Sequence, residues 1–157
     1  MLLAKDAEVE TQEPATALRK IDLLSFRLRS GRYALPAPVV TRVDASPALV
    51  RVPGAPPFVA GVAQLGGRVL TVIDLGLHLG LGPASIASPR VISLQIGERR
   101  FAALVDSVDG LSAVDETAIR PETPPVPELL GRASLEDGSL VAVLNPDMIV
   151  SGILRRG

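Results

Sequence analysis

The chain has 157 residues, enough to bury one real core or two small connected ones without an outside staple. Its 16 basic and 17 acidic residues leave a net charge of -1, so it lacks the basic field that draws phosphate backbones or anionic membrane surfaces, and generic nucleic-acid binding is disfavoured. The absence of cysteine excludes disulfides and thiolate metal sites, and a single histidine leaves little for any other metal.

Hydrophobic residues make up 47% of the chain but aromatic residues only 3%, so aliphatic side chains must fill the core. The 14 glycines and 14 prolines promise short elements and tight turns, a balance that favours an all-β protein.

Residues 1–20 mix charge with alanine and threonine without sustained periodicity and read as a flexible tail. The opening MLLAKDAEVETQEP lacks the apolar run of a secretion signal. The most apolar later region is interrupted by Asp74, Gly76, His78, Gly80 and Gly82, which argues against a membrane span. The expectation is a soluble cytoplasmic protein with no direct membrane insertion.

From residue 23, LLSFRLR alternates, with Leu24, Phe26 and Leu28 on one face and Ser25, Arg27 and Arg29 on the other, as a half-buried strand requires. A turn at Ser30 and Gly31 leads into RYAL. Further on, VISLQIG places Ile92, Leu94 and Ile96 opposite Val91, Ser93 and Gln95, and RRFAALV follows Gly97 and Glu98. Tyr33 and Phe101 correspond at a shift of 68.

A second correspondence is stronger. GVAQLGGRVLTVIDL from Gly61 matches GRASLEDGSLVAVLNP from Gly131, pairing Gly61 with Gly131, Ala63 with Ala133 and Leu65 with Leu135. After one inserted residue it also pairs Gly67 with Gly138, Val72 with Val143 and Ile73 with Leu144. Gly66-Gly67 and Asp137-Gly138 are hairpin signals, because such turns need positive φ. Each half therefore opens with a hairpin and ends with another, and two small barrels are predicted, since an isolated hairpin is marginal in water.

Between the hairpins, Pro53-Gly54 marks a turn and Pro56-Pro57 is expected to open a short helix before Val59. The matching stretch DETAIRPETPPVPELLG reads as an extended crossing until Glu128, Leu129 and Leu130. Asn145-Pro146-Asp147 predicts a closing helix through Leu154, with Asn145 as its cap.

Groups suited to catalysis are few. His78 has no nearby serine, cysteine or paired carboxylate and reads as structural or surface. Asp74 and Asp106 end apolar strands, where a carboxylate accepts backbone N–H groups of the next turn. LGGRV lacks the spacing of a phosphate-binding loop, and the acids of DSVDGLSAVDE lack calcium-loop spacing and read as a solvated rim. No stretch interleaves basic and aromatic residues. The expectation is a binding protein that is not an enzyme and uses no cofactor or metal.

VRVPGAPPFVAGVAQLGGRVLTVIDLGLHLGL closely resembles the CheW-like family, adaptors that couple bacterial chemoreceptors to the histidine kinase CheA. The family's Pro-Gly-x-Pro loop, Val-x-Gly-Val segment, Asn-Leu-Arg-Gly turn and Asp-Leu strand end are matched in order. They stand here as Pro53-Gly54-Ala55-Pro56, Val59-Ala60-Gly61-Val62, Gln64-Leu65-Gly66-Gly67 and Ile73-Asp74-Leu75. SFRLRSGRYALP, RRFAALVDSVDGL and GRASLEDGSLVAVLN extend the likeness over about residues 22–154.

The resemblance implies two SH3-like five-stranded β-barrel subdomains packed side by side, with short helices including a C-terminal one. The expected division puts residues 22–40 and 58–88 in the first barrel, 41–57 in a connection, 89–146 in the second barrel and 146–154 in the closing helix. It further implies a chemosensory adaptor whose partners are the regulatory domain of a CheA-type kinase and the cytoplasmic tip of methyl-accepting chemoreceptors, with recruitment to membrane receptor arrays. By position, Val40, Arg42, Val43, Leu65 and Gly66 fall on the kinase-binding segments, and Gly61, Val62 and Gln64 on the receptor-binding motif. Core packing and interface remain open for Val40, Val43 and Leu65, because exposed and buried aliphatic strips read alike in sequence.

Three positions depart from the family pattern: Gly66 and Gly76 where arginine is usual, and Arg42 where an acid is common. A lost guanidinium and a reversed charge change partner preference. They motivate an alternative, a specialised or regulatory CheW-like protein that serves a variant kinase or receptor or competes with a standard adaptor.

Overall fold

In a computed structural model describing residues 19–84 and 87–156, the first half runs through two hairpins separated by a single strand. β1 (Lys20–Leu28) and β2 (Gly31–Pro36) form the opening hairpin. A 3-10 turn at Ala37–Val39 leads to β3 (Val40–Ala45), and β4 (Val59–Leu65) and β5 (Arg68–Asp74) form the closing hairpin. The second half repeats this order as β6 (Arg90–Ile96), β7 (Arg99–Val105), β8 (Ser107–Asp115), β9 (Leu129–Ser134) and β10 (Leu140–Leu144). A one-turn helix, α1 (Leu75–His78), follows β5, and α2 (Pro146–Arg156) closes the chain.

The all-β class, the two five-stranded sheets and the C-terminal helix agree with the sequence reading, but the allocation of strands does not. One sheet has the order β9-β10-β2-β1-β8 and the other β3-β6-β7-β5-β4. Each barrel thus takes the opening hairpin of one half and the last three strands of the other. Parallel pairs make the joins: β2 lies against β10 through Tyr33 with Ala142 and Ala34 with Val143, and β7 against β5 through Ala102 with Val72 and Ala103 with Ile73. The division into residues 22–40 with 58–88 and 89–146 is therefore corrected. Period-two patterning identifies a strand and its apolar face, but it carries no information about which strand lies alongside.

The 70-residue repeat has a backbone cause. Gly61 (φ 152°) and Gly131 (φ 155°) sit at matching irregularities where β4 slips against β5 and β9 against β10. A crossing segment lies over each glycine, Val50 bridging to Val62 in one barrel and Arg120 to Arg132 in the other. A Cβ on Gly61 would stand 2.6 Å from the Val50 carbonyl oxygen, so the crossing needs glycine twice.

Apolar side chains divide among three clusters. Leu23, Ala34, Val114, Ala133, Val141 and Val143 help fill the interior of the first barrel, and Ala63, Leu65, Leu70, Val72, Val91 and Ala102 that of the second. The largest cluster among the described residues is the seam between barrels, where Leu24, Phe26, Leu28 and Leu35 meet Ile73, Ile92, Leu94 and Val105. This corrects the half-buried reading of LLSFRLR, and VISLQIG is covered in the same way. Leu23 and Ser25 are buried as well as Leu24 and Phe26, and Val91 and Ser93 as well as Ile92 and Leu94. Alternate residues enter different cores, barrel interior on one side and seam on the other.

Asn145 caps α2, its Oδ1 accepting from the Asp147 N–H at 3.1 Å, with Pro146 in first position as expected. Ile149 anchors this helix in the seam. Pro56-Pro57 opens no helix. Val59 N–H donates to the Pro56 carbonyl at 2.9 Å, closing a turn, because Pro57 lacks an N–H and holds Pro56 out of the helical region. The acids of DSVDGLSAVDE stand on and beside β8, which is paired along β1; Asp109 and Glu116 are exposed, as a solvated rim requires, with Asp109 held by Arg27 and Arg32. The expected tail lies outside the described residues except at its end, where Lys20 begins β1.

Two predictions follow from this packing. Ile73→Asp buries an unpaired charge in the seam and costs about 5 kcal/mol or more, comparable to the whole stability of a small domain, whereas Arg42→Glu on the exposed face breaks only a surface ion pair with Asp44 and lowers thermal melting little. Gly61→Ala forces strain beneath the Val50 crossing and costs about 1–3 kcal/mol, read as a lowered midpoint in urea.

Candidate docking surface

Gly66 and Gly67, with φ of 58° and 80°, make the two-residue turn between β4 and β5 and set Leu65 opposite Arg68. From the neighbouring barrel edge, Arg42 on β3 reaches over this turn. Its Nη1 lies 2.7 Å from where a Cβ on residue 66 would stand, so the absence of a side chain at Gly66 makes room for the guanidinium. Two of the three positions that depart from the family pattern are thus in contact.

Arg42 also forms a two-pronged ion pair with Asp44, Nε to Oδ2 at 2.8 Å and Nη2 to Oδ1 at 2.9 Å. The hydrogen bond from Arg42 holds the Asp44 carboxyl below its ordinary range, partly opposed by desolvation, with the guanidinium charge adding to the lowering. The same pairing raises the Arg42 guanidinium. Both side chains stay in place as charged groups at neutral pH.

Of the expected contact residues, Arg42, Val43, Gln64 and Gly66 are exposed. Val40 is half-buried and packs on the seam, and Val62 is half-buried on the outer face of β4. Leu65 fills the barrel interior and Gly61 lies beneath Val50, so these two shape the surface from below without presenting a side chain to it. Of the residues expected to bind the kinase, Arg42, Leu65 and Gly66 gather at one end of the second barrel, while Gly61, Val62 and Gln64 run along β4.

The strand register adds residues that the motif comparison missed. Val62 lies between Val50 and Thr71, and Gln64 lies opposite Val69, placing Val50, Val62 and Val69 together on the outer face. Val50 is 66% exposed and Val69 72%. Val69 was visible in principle, because Leu70 and Val72 face inward and period two turns Val69 and Thr71 outward. Val50 was not, since its place depends on the crossing over Gly61.

A groove of about 420 Å³ runs along the junction of the barrels. Tyr33 on β2, Leu129 and Arg132 on β9, and Leu140 and Ala142 on β10 line one side, with His78, Leu79 and Leu81 from the other barrel and Met148 and Gly152 from α2. His78 is buried, its ring 5.0 Å from that of Phe58. A Cβ on Gly152 would lie 2.9 Å from its Nε2, so Gly152 lets α2 close over the imidazole. This is the structural role expected of the residue.

Asp74 and Asp106 also behave as their positions require. Asp74 accepts from Leu77 N–H at 3.2 Å and Ala84 N–H at 3.0 Å, fixing α1 and the loop after it, and Asp106 accepts from Arg29 N–H at 2.6 Å. Among the described residues, no group of three or more His, Asp or Glu side chains is gathered to hold a metal ion, and no helix is long and apolar enough to cross a membrane.

The comparisons with known proteins agree with this architecture. The CheW-like domain model matches residues 22–153. The chain is 30% identical to a probable chemotaxis protein CheW of Rhizobium etli over 112 residues, 71% of this chain and 72% of that protein. It is 27% identical to the chemotaxis protein CheW of Thermotoga maritima, over 88% of this chain and 93% of the relative. The crystal structure of the scaffolding protein TtCheW from Thermoanaerobacter tengcongensis has the same fold, with a TM-score of 0.73 at 24% identity, covering 81% of this chain and 90% of that one. With the family match running through both barrels and relatives of nearly the same extent, the chain belongs to the CheW-like family of chemotaxis coupling proteins.

Proposed function

We propose that the protein is a non-enzymatic chemosensory adaptor that holds a CheA-type histidine kinase and a chemoreceptor tip in a fixed relation at a cytoplasmic receptor array. The regulatory domain of the kinase docks on the outer face and rim of β3, β4 and β5, through Val43, Val62, Gln64, Val69 and the turn under Arg42. The helical receptor tip lies in the groove between barrels, against Tyr33, Leu129 and Leu140. Val62 and Gln64, expected from the motif to bind the receptor, are in this reading part of the kinase face, since neither lines the groove.

The observation that carries this reading is the exposed apolar strip of Val50, Val62 and Val69 beside a charged rim. An apolar centre with a polar margin is the anatomy of a protein–protein interface. The shared seam supports the mechanical part, since force on the groove passes to the docking face through one packed core. Its role is positional: receptor state changes kinase activity by changing where the kinase is held.

Calorimetric titration with the regulatory domain of the CheA kinase from the same cell tests it. The expected result is saturable binding at micromolar Kd, weakened about tenfold or more by Val69→Asp with no change in melting. Absence of binding by the native protein overturns the kinase assignment.

The contact between Arg42 and Gly66 gives a second test. Gly66→Arg costs about 1–2 kcal/mol of backbone strain at a left-handed position and also brings a second guanidinium against Arg42. Combining it with Arg42→Glu recovers part of that loss, and a double-mutant cycle in thermal melting measures the coupling. Simple additivity would show that the two positions act independently.

A further inference from the structure

At one mouth of the second barrel, β3, the β4–β5 turn and the β6–β7 hairpin surround a depression of about 230 Å³. Its lining carries three guanidinium side chains, Arg42, Arg68 and Arg100, and no carboxylate. Arg42 is ion-paired to Asp44, whereas Arg68 and Arg100 are exposed and have no ion pair among the described residues. Like charges gathered without a counter-charge repel one another, a cost that screening reduces but does not remove.

Ser93 lies on the same lining. It is only 2% exposed, and its Oγ has no hydrogen-bond partner among the described residues. The register explains its place: Ser93 pairs with Arg42 on β3 and with Ala102 on β7, so it points into the barrel just below the rim. A buried hydroxyl without an acceptor is unfavourable, and it shares its mouth with two guanidinium groups that lack a counter-charge.

One occupant relieves both features. An oxygen anion seated in the mouth supplies the missing counter-charge and the missing acceptor. The mouth adjoins the docking rim, since Arg42, Leu65 and Gly66 belong to both, so its occupant arrives on the surface of a protein. We propose that this mouth receives a Glu or Asp carboxylate from the protein that docks on β3, β4 and β5, an inference that rests on the docking reading above. Arg68 and Arg100 grip the carboxylate from the rim, and the Ser93 hydroxyl donates from below.

Backbone-amide NMR on the full chain tests the site without the kinase. The probes are an acetylated, amidated Glu-Asp-Glu peptide, its Gln-Asn-Gln counterpart and inorganic phosphate. The acidic peptide is expected to give saturable shifts at Gly66, Arg68, Ser93 and Arg100, with none from the neutral peptide. Arg68→Glu and Arg100→Glu, both at exposed positions, each weaken that response about tenfold.

Ser93→Ala weakens it several-fold while leaving melting unchanged or raised, because it deletes an unsatisfied hydroxyl. A merely structural serine would leave peptide binding untouched. Unsaturable shifts, or an equal response in the Arg68 and Arg100 variants, overturn the proposal. Saturation of the same amides by phosphate and not by the peptide overturns the carboxylate assignment.

Kinase calorimetry separates the two readings. Peptide binding with no kinase binding rejects the kinase as partner and leaves the carboxylate site standing. Kinase affinity indifferent both to Arg100→Glu and to a change from about 0.05 to about 0.5 M NaCl rejects the mouth as part of that interface.

Discussion

The apolar seam between the barrels is the contact on which the rest of the molecule depends. Leu24, Phe26, Leu28 and Leu35 on one side and Ile73, Ile92, Leu94 and Val105 on the other are almost wholly removed from water. Burying a side chain of this size contributes about 1.5–3 kcal/mol before entropy is counted. Because each barrel borrows strands from both halves of the chain, the seam and the two parallel joins form together. Neither half of the sequence can complete a barrel from its own strands.

Duplication gave the two barrels one backbone plan and different surfaces. Val50 and Val62 in one barrel occupy the places of Arg120 and Arg132 in the other, bridged in the same way over Gly61 and Gly131. Arg132 is paired with Glu122 and Arg32 with Asp109, so that side of the molecule is charged, with part of its charge balanced within the chain. The valine side has no such partners to dismiss before it meets another protein. Glycine is repeated because the backbone crossing demands it. The outward residues carry no such demand and could diverge.

The rim of the second barrel shows how a local exchange is accommodated. Gly66 leaves the space that Arg42 fills, Asp44 holds one face of the guanidinium, and Arg68 and Arg100 add charge around the same mouth. Positive charge has thereby been concentrated beside an apolar strip. That combination favours a partner surface that is apolar with an acidic margin, and it discriminates against a basic one.

Much of this was legible in the residues themselves. Alternation in LLSFRLR and VISLQIG, the glycine turns and the repeat determined the strands, the hairpins and the doubled plan, because side-chain direction along a strand has period two and positive φ favours glycine. Asn145-Pro146 determined where the closing helix starts, and Asp74 and Asp106 announced their backbone contacts by standing at strand ends. The tertiary structure alone decided which hairpin joined which barrel, that Ser25 and Ser93 are covered, and that Leu65 lies inside while Val50 lies outside. It also decided that Arg42 and Gly66 touch. Each of these depends on neighbours distant in the chain, and a local pattern records the direction of a side chain without recording what it meets.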